Sequence, residues 1–128
     1  MKLLEQFADI VGPAHVLTQA DDTAPYLLDW RRRYHGAARC VLRPASTSEV
    51  MRIAQLCAQA GVAMVPQGGN TSHCGAGIPD ASGDAVLISL ARLNKIRSVD
   101  TTNNTMTLEA GCILQNAQQA AFDAGRLF

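Results

Sequence analysis

The sequence has 128 residues, a normal size for one compact domain. Hydrophobic residues make up 48% and charged residues 17%, a balance that supports a packed core and excludes wholesale disorder. The formal net charge is zero, so no broad basic field is expected and nucleic acid is disfavoured as a partner.

The start, Met1-Lys2-Leu3-Leu4-Glu5, carries an early acid and does not read as a signal peptide. Leu3, Leu4, Phe7, Ile10 and Val11 share one helical face, and Gly12-Pro13 stops that helix. His15-Val16-Leu17 reads as a short extended piece. Asp21-Asp22-Thr23 is expected to cap a brief helix carrying Tyr26, Leu27 and Leu28. The basic cluster from Trp30 to Gly36 reads as a surface connection pinned by Trp30 and Tyr34.

Cys40-Val41-Leu42 is a short apolar strand ended by Arg43-Pro44. Ser46 and Glu49 have capping-box spacing, and Val50, Ile53, Ala54, Cys57 and Ala60 follow at helical spacing up to Gly61. Val62 to Val65 is a second apolar strand and Ala85 to Leu90 a third. Short, nearly all-apolar strands around a helix predict a parallel β-α-β core with a right-handed crossover. Ile96–Val99 and Thr105–Ala110 pair as a hairpin across Asp100–Asn104, with Glu109 on a solvated face. Leu114, Ala117, Gln118 and Ala121 mark a last helix that Gly125 ends. An end at Arg126-Leu127-Phe128 is an odd finish for a complete enzyme, so a fragment is expected.

The chemistry concentrates in Pro66-Gln67-Gly68-Gly69-Asn70-Thr71-Ser72, which leaves the carboxyl end of the second strand. Ligands of open α/β sheets gather outside such ends. Two adjacent glycines permit positive φ and remove Cβ atoms, so main-chain N–H groups can converge on an anion. Asn70, Thr71 and Ser72 add side-chain donors. The sequence contains no G-x-x-x-x-G-K-[ST], and Gly75-Ala76-Gly77 runs into Ile78-Pro79 instead of a helix, which excludes a Rossmann turn there.

The ordered set Val41-Leu42-Arg43-Pro44, Ser46 to Val50, Val65 to Thr71, Leu87 to Leu90, Leu93 to Ile96 and Glu109 to Leu114 resembles the FAD-binding domain of the vanillyl-alcohol oxidase/PCMH flavoprotein superfamily. Pro66 to Thr71, Ala110 to Leu114, and Tyr26, Asp29-Trp30-Arg31 and Arg33-Tyr34 look most like its D-2-hydroxyglutarate and D-lactate dehydrogenase branch. The resemblance implies that Gln67, Gly68, Gly69, Asn70, Thr71 and Ser72 bind the FAD pyrophosphate, with Gly75 near the flavin. Ser72 stands where a glycine is common, and Ala76 replaces the second glycine of a usual pair. Asn70 occupies the position of the histidine that anchors FAD covalently in some members, so non-covalent FAD is implied.

It further implies an α/β fold: residues 1–36 as a helical lead-in, and 37–128 as the first lobe of the FAD domain, without the second lobe and the substrate domain. The parent enzyme would oxidise a D-2-hydroxy acid and pass electrons to a protein or quinone; the alternatives are an FAD-linked alcohol or sugar oxidase of the same superfamily and a non-enzymatic module that binds a phosphorylated ligand or a protein. Weak or absent FAD binding, no turnover and possible self-association are expected of the isolated chain. The three histidines show no ligand spacing, so no metal site is assigned; the resemblance implies that the substrate-binding and metal-ligating residues lie in a later domain, so no catalytic residue is assigned to this chain. Cys40, Cys57, Cys74 and Cys112 form no C-x-x-C pair and read as reduced thiols. No stretch approaches the ~20 apolar residues of a membrane span, and a soluble, cytoplasmic protein is the default expectation.

Overall fold

A computed structural model describes residues 2–128, leaving Met1 of the expected start outside. Helix α1 (Lys2–Val11) leads through a 3-10 turn (Pro13–His15) into β1 (Val16–Leu17). Helix α2 (Ala20–Leu27), β2 (Val41–Leu42), α3 (Thr47–Ala60), β3 (Met64–Gln67) and β4 (Val86–Ser89) follow. A separate hairpin of β5 (Ile96–Asp100) and β6 (Thr105–Leu108) precedes α4 (Leu114–Asp123).

The main sheet has the order β1-β2-β4-β3. Strands β2, β4 and β3 are parallel, as expected, and β1 adds an antiparallel edge by pairing Val16 with Leu42 and Leu17 with Val41. Every residue of β4 is buried, which explains the apolar run Val86-Leu87-Ile88: both faces of the central strand are covered. Strand β3 is the other edge, where Pro66 costs the ladder no inner hydrogen bond.

One core joins the N-terminal helix to the main sheet and α3. Phe7 and Val11 of α1 pack with Cys40, Leu42, Ile53, Cys57, Val86 and Ile88. The four cysteines are free thiols, and Cys40 and Cys57 are wholly buried within this core.

Helix α3 has the expected caps. The Ser46 hydroxyl accepts from the Glu49 N–H, and Gly61 closes the helix at φ 65°. The Glu49 carboxylate reaches back one residue further than predicted, accepting from the Ala45 N–H at 2.7 Å.

Two local expectations are corrected. Helix α2 starts at Ala20, so Asp21 and Asp22 sit inside its first turn, facing the positive end of the helix dipole, and cap nothing. Glu109 is not solvated: its carboxylate accepts from the Lys95 N–H at 2.9 Å and pairs with Arg97 at 3.5 Å, closing the hairpin base. Among the described residues, no helix is long and apolar enough to cross a membrane.

Candidate functional site

Parallel strands deliver their carboxyl ends to one edge of the sheet, and the chain leaves β3 there as Gly68. Residues Pro66 to Ser72, with Ala76 and Gly77, line an open hollow of about 440 Å³. Among the described residues, no charged side chain lines it. The N–H groups of Gly68, Gly69, Asn70, Thr71 and Ser72 have no hydrogen-bond partner among the described residues. Five consecutive unspent donors beside a hollow form a surface that can receive an anion's oxygens.

The two glycines serve a different purpose from the one the sequence suggests. Neither Gly68 nor Gly69 has a positive φ; the left-handed residue of the loop is Asn70, at φ 56°. A Cβ at Gly69 would meet nothing within 4 Å. The protein's own backbone and packing therefore do not require glycine at this position. What glycine supplies is empty space beside free amides.

The polar side chains also divide their labour unexpectedly. The buried Gln67 amide donates to the Tyr26 carbonyl at 2.8 Å and the Gly77 carbonyl at 2.9 Å. The Asn70 amide donates to the Leu28 carbonyl at 2.8 Å and the Pro25 carbonyl at 3.4 Å. The Asn70 amide thus spends its donors at the end of α2, and the Gln67 amide bridges that end to Gly77. The hollow is offered the main chain.

Segment 28–36 wraps the same loop. Asp29 is buried, and its carboxylate accepts from the Arg33 and Tyr34 N–H groups at 2.7 and 2.8 Å. The Tyr34 N–H holds the Asp29 carboxyl below the usual carboxylate range; burial opposes this, and the Arg33 N–H assists. The turn so formed presents the Tyr34 ring to Gly75, where φ is 72° and a Cβ would lie 2.7 Å from Tyr34 Cγ. Trp30 donates from its indole nitrogen to the Thr71 carbonyl at 3.0 Å.

The connection pinned by aromatics is therefore also the back wall of the loop. Local sequence reading left these contacts out because they join residues 41 or more positions apart. The available signal was the concentration of aromatic residues, Tyr26, Trp30 and Tyr34, around Asp29.

The structure brings Gln67 through Ser72 together around the hollow, whereas Gly75 lies against Tyr34. His73 reaches the Trp30 ring, and Cys74 is exposed. Among the described residues no three His, Cys, Asp or Glu side chains cluster as metal ligands would.

Residues 38–128 match the family model described as FAD binding domain. The chain belongs to that family. This FAD-binding domain is 39% identical over 110 residues to the probable D-2-hydroxyglutarate dehydrogenase, mitochondrial, of Oryza sativa subsp. indica, a match covering 86% of this chain and 19% of that protein. It is 34% identical over 127 residues to the D-2-hydroxyglutarate–pyruvate transhydrogenase of Saccharomyces cerevisiae, covering 98% and 25%.

In fold, the domain is similar to alkyldihydroxyacetonephosphate synthase, with a TM-score of 0.83 at 20% identity over 97% of this chain and 25% of that one. Substrate-bound p-cresol methylhydroxylase gives a TM-score of 0.81 at 19% identity over 97% and 24%. The chain spans about a fifth to a quarter of the length of the curated relatives it matches.

One expectation falls here. The rice relative and those of Arabidopsis thaliana and Bos taurus are named mitochondrial, which overturns the cytoplasmic assignment. That assignment rested on the lack of a recognised signal and of a membrane-length apolar run, and neither absence specifies a compartment.

Proposed function

We propose that the hollow at the carboxyl edge of the sheet holds the diphosphate of FAD, bound without a covalent link, in an oxidoreductase that converts a D-2-hydroxy acid to its 2-oxo acid. The observation that carries this reading is the run of five unpaired N–H groups from Gly68 to Ser72 beside a space kept open by Gly69. Membership of the FAD-binding family supports the cofactor, and the relatives' names support the substrate class.

In this reading the bound flavin supplies a two-electron acceptor for hydride from the substrate. The chain's own residues bind and orient. Main-chain donors receive the diphosphate oxygens, while the side chains of Gln67 and Asn70 hold that backbone through the carbonyls they bond. Gly75, against Tyr34, sets the path of the chain beyond the cradle. Substrate-binding and proton-transferring groups are assigned to parts of the parent enzyme outside this chain, as is the contact with a protein or quinone acceptor.

The hollow is open and its lining carries no cationic side chain, so amides alone face two phosphate charges. The 128-residue chain by itself should accordingly bind FAD weakly, and calorimetric titration is expected to show no binding tighter than millimolar. The deciding experiment is expression of the extended reading frame followed by a visible spectrum. Flavin bands that bleach on adding a D-2-hydroxy acid are expected; a colourless protein would remove the cofactor assignment. Flavin bands indifferent to every D-2-hydroxy acid would remove the substrate class.

A further inference from the structure

Trp30 is 57% exposed, so burial does not account for its placement. Its ring is held by directed contacts instead. The indole N–H donates to the Thr71 carbonyl at 3.0 Å. The Arg31 guanidinium carbon lies 5.0 Å from the ring centroid, within cation–π range. The His73 ring meets it edge-on, with centroids 6.4 Å apart and planes at 80°. Thr71 and His73 thus engage the same indole from within the loop it touches.

The accepting carbonyl belongs to a rigid unit. A trans peptide is planar, so the Thr71 C=O and the Ser72 N–H point in opposite directions. Thr71 and Ser72 line the hollow, whereas Trp30 does not. A carbonyl turned toward Trp30 therefore turns the next amide away from Trp30. Without the indole donor this peptide could flip and present an oxygen to the anion instead of an N–H.

We propose that Trp30 is a positioning residue of the cradle, whose indole N–H fixes the Thr71–Ser72 peptide so that the Ser72 amide faces the bound anion. The identity of that anion rests on the FAD reading above; the ordering of the peptide does not. Arg31 and His73 contribute by holding the ring in the plane from which its N–H reaches Thr71.

The test replaces Trp30 with benzothienylalanine, which keeps the fused ring but puts sulfur in place of N–H, and separately with phenylalanine. Nitrogen-15 relaxation of the chain without FAD reports on the peptide directly. The wild-type Ser72 amide is expected to show an order parameter near ~0.85, and both variants a value below ~0.6 at that position. A mobile Ser72 amide in the wild type, or one equally rigid in the benzothienyl variant, would overturn the inference.

FAD titration of the longest natural chain carrying this sequence is the second measurement. Both variants should bind about tenfold more weakly, the loss expected from one misdirected hydrogen bond. A wild type that fails to bind FAD removes the flavin reading and leaves the relaxation result to decide the role of Trp30. A wild type that binds, with variants that bind equally well, overturns the role of Trp30 alone.

Discussion

At Gly69 a methyl group meets no neighbour, and the backbone lies outside the left-handed region. Gly69→Ala should leave the fold intact or stabilise it by about 0.4–1 kcal/mol through the unfolded chain, as denaturant unfolding would show. The same methyl group occupies the space beside the free amides, so FAD affinity of the extended enzyme should fall by about tenfold or more. Gly75→Ala should behave in the opposite manner. A Cβ there meets the Tyr34 ring at positive φ, and a loss of about 1–3 kcal/mol of stability is expected.

Asp29 gives a pH signature. Its folded-state pKa is depressed, first by the Tyr34 N–H. Its contribution is therefore present above the ordinary carboxylate range and lost as pH falls below about 4 and through the folded value. Asp29→Ala should lower the melting temperature at neutral pH and flatten the acid limb of the stability curve. An acid limb unchanged in the variant would refute this role.

Helix α3 was legible from end to end because its determinants are local. Ser46, Glu49 and Gly61 act within one turn of the helix ends they cap. Ser46→Ala should cost about 1 kcal/mol in chemical denaturation. The parallel strands were legible for a related reason: burial on both faces of β4 writes an apolar run into the sequence. Pairing partners were not. β1 is two residues long, and its antiparallel place beside β2 is fixed by the turn at Pro13–His15 and the packing of α1. Glu109 misled for a similar reason, since alternation along β6 marks a face but does not reveal that Lys95 and Arg97 stand across from it. In the loop after β3, local reading did not anticipate the left-handed Asn70 or the side-chain partners of Gln67 and Asn70. Their partners lie at the end of α2, about 40 residues upstream.

The first 36 residues and the rest of the chain share a single core and a single site. Helix α1 contributes Phe7 and Val11 beside Ile53 and Val86, while the end of α2 and the turn after it hold the loop at Pro66–Gly77. Deleting residues 2–28 should abolish cooperative thermal unfolding, because it removes apolar surface from the core and the carbonyls that receive Gln67 and Asn70.

The sealed core also equips the molecule with a chemical timer. Burial pushes the Cys40 thiol up to about 12 and raises that of Cys57, so neither is a thiolate at neutral pH or open to a reagent while the fold is closed. Alkylation should mark exposed Cys74 at once and reach Cys40 and Cys57 only as fast as the interior opens. At reagent concentrations where alkylation outpaces reclosing, the slow phase then measures how often the core opens, without added denaturant.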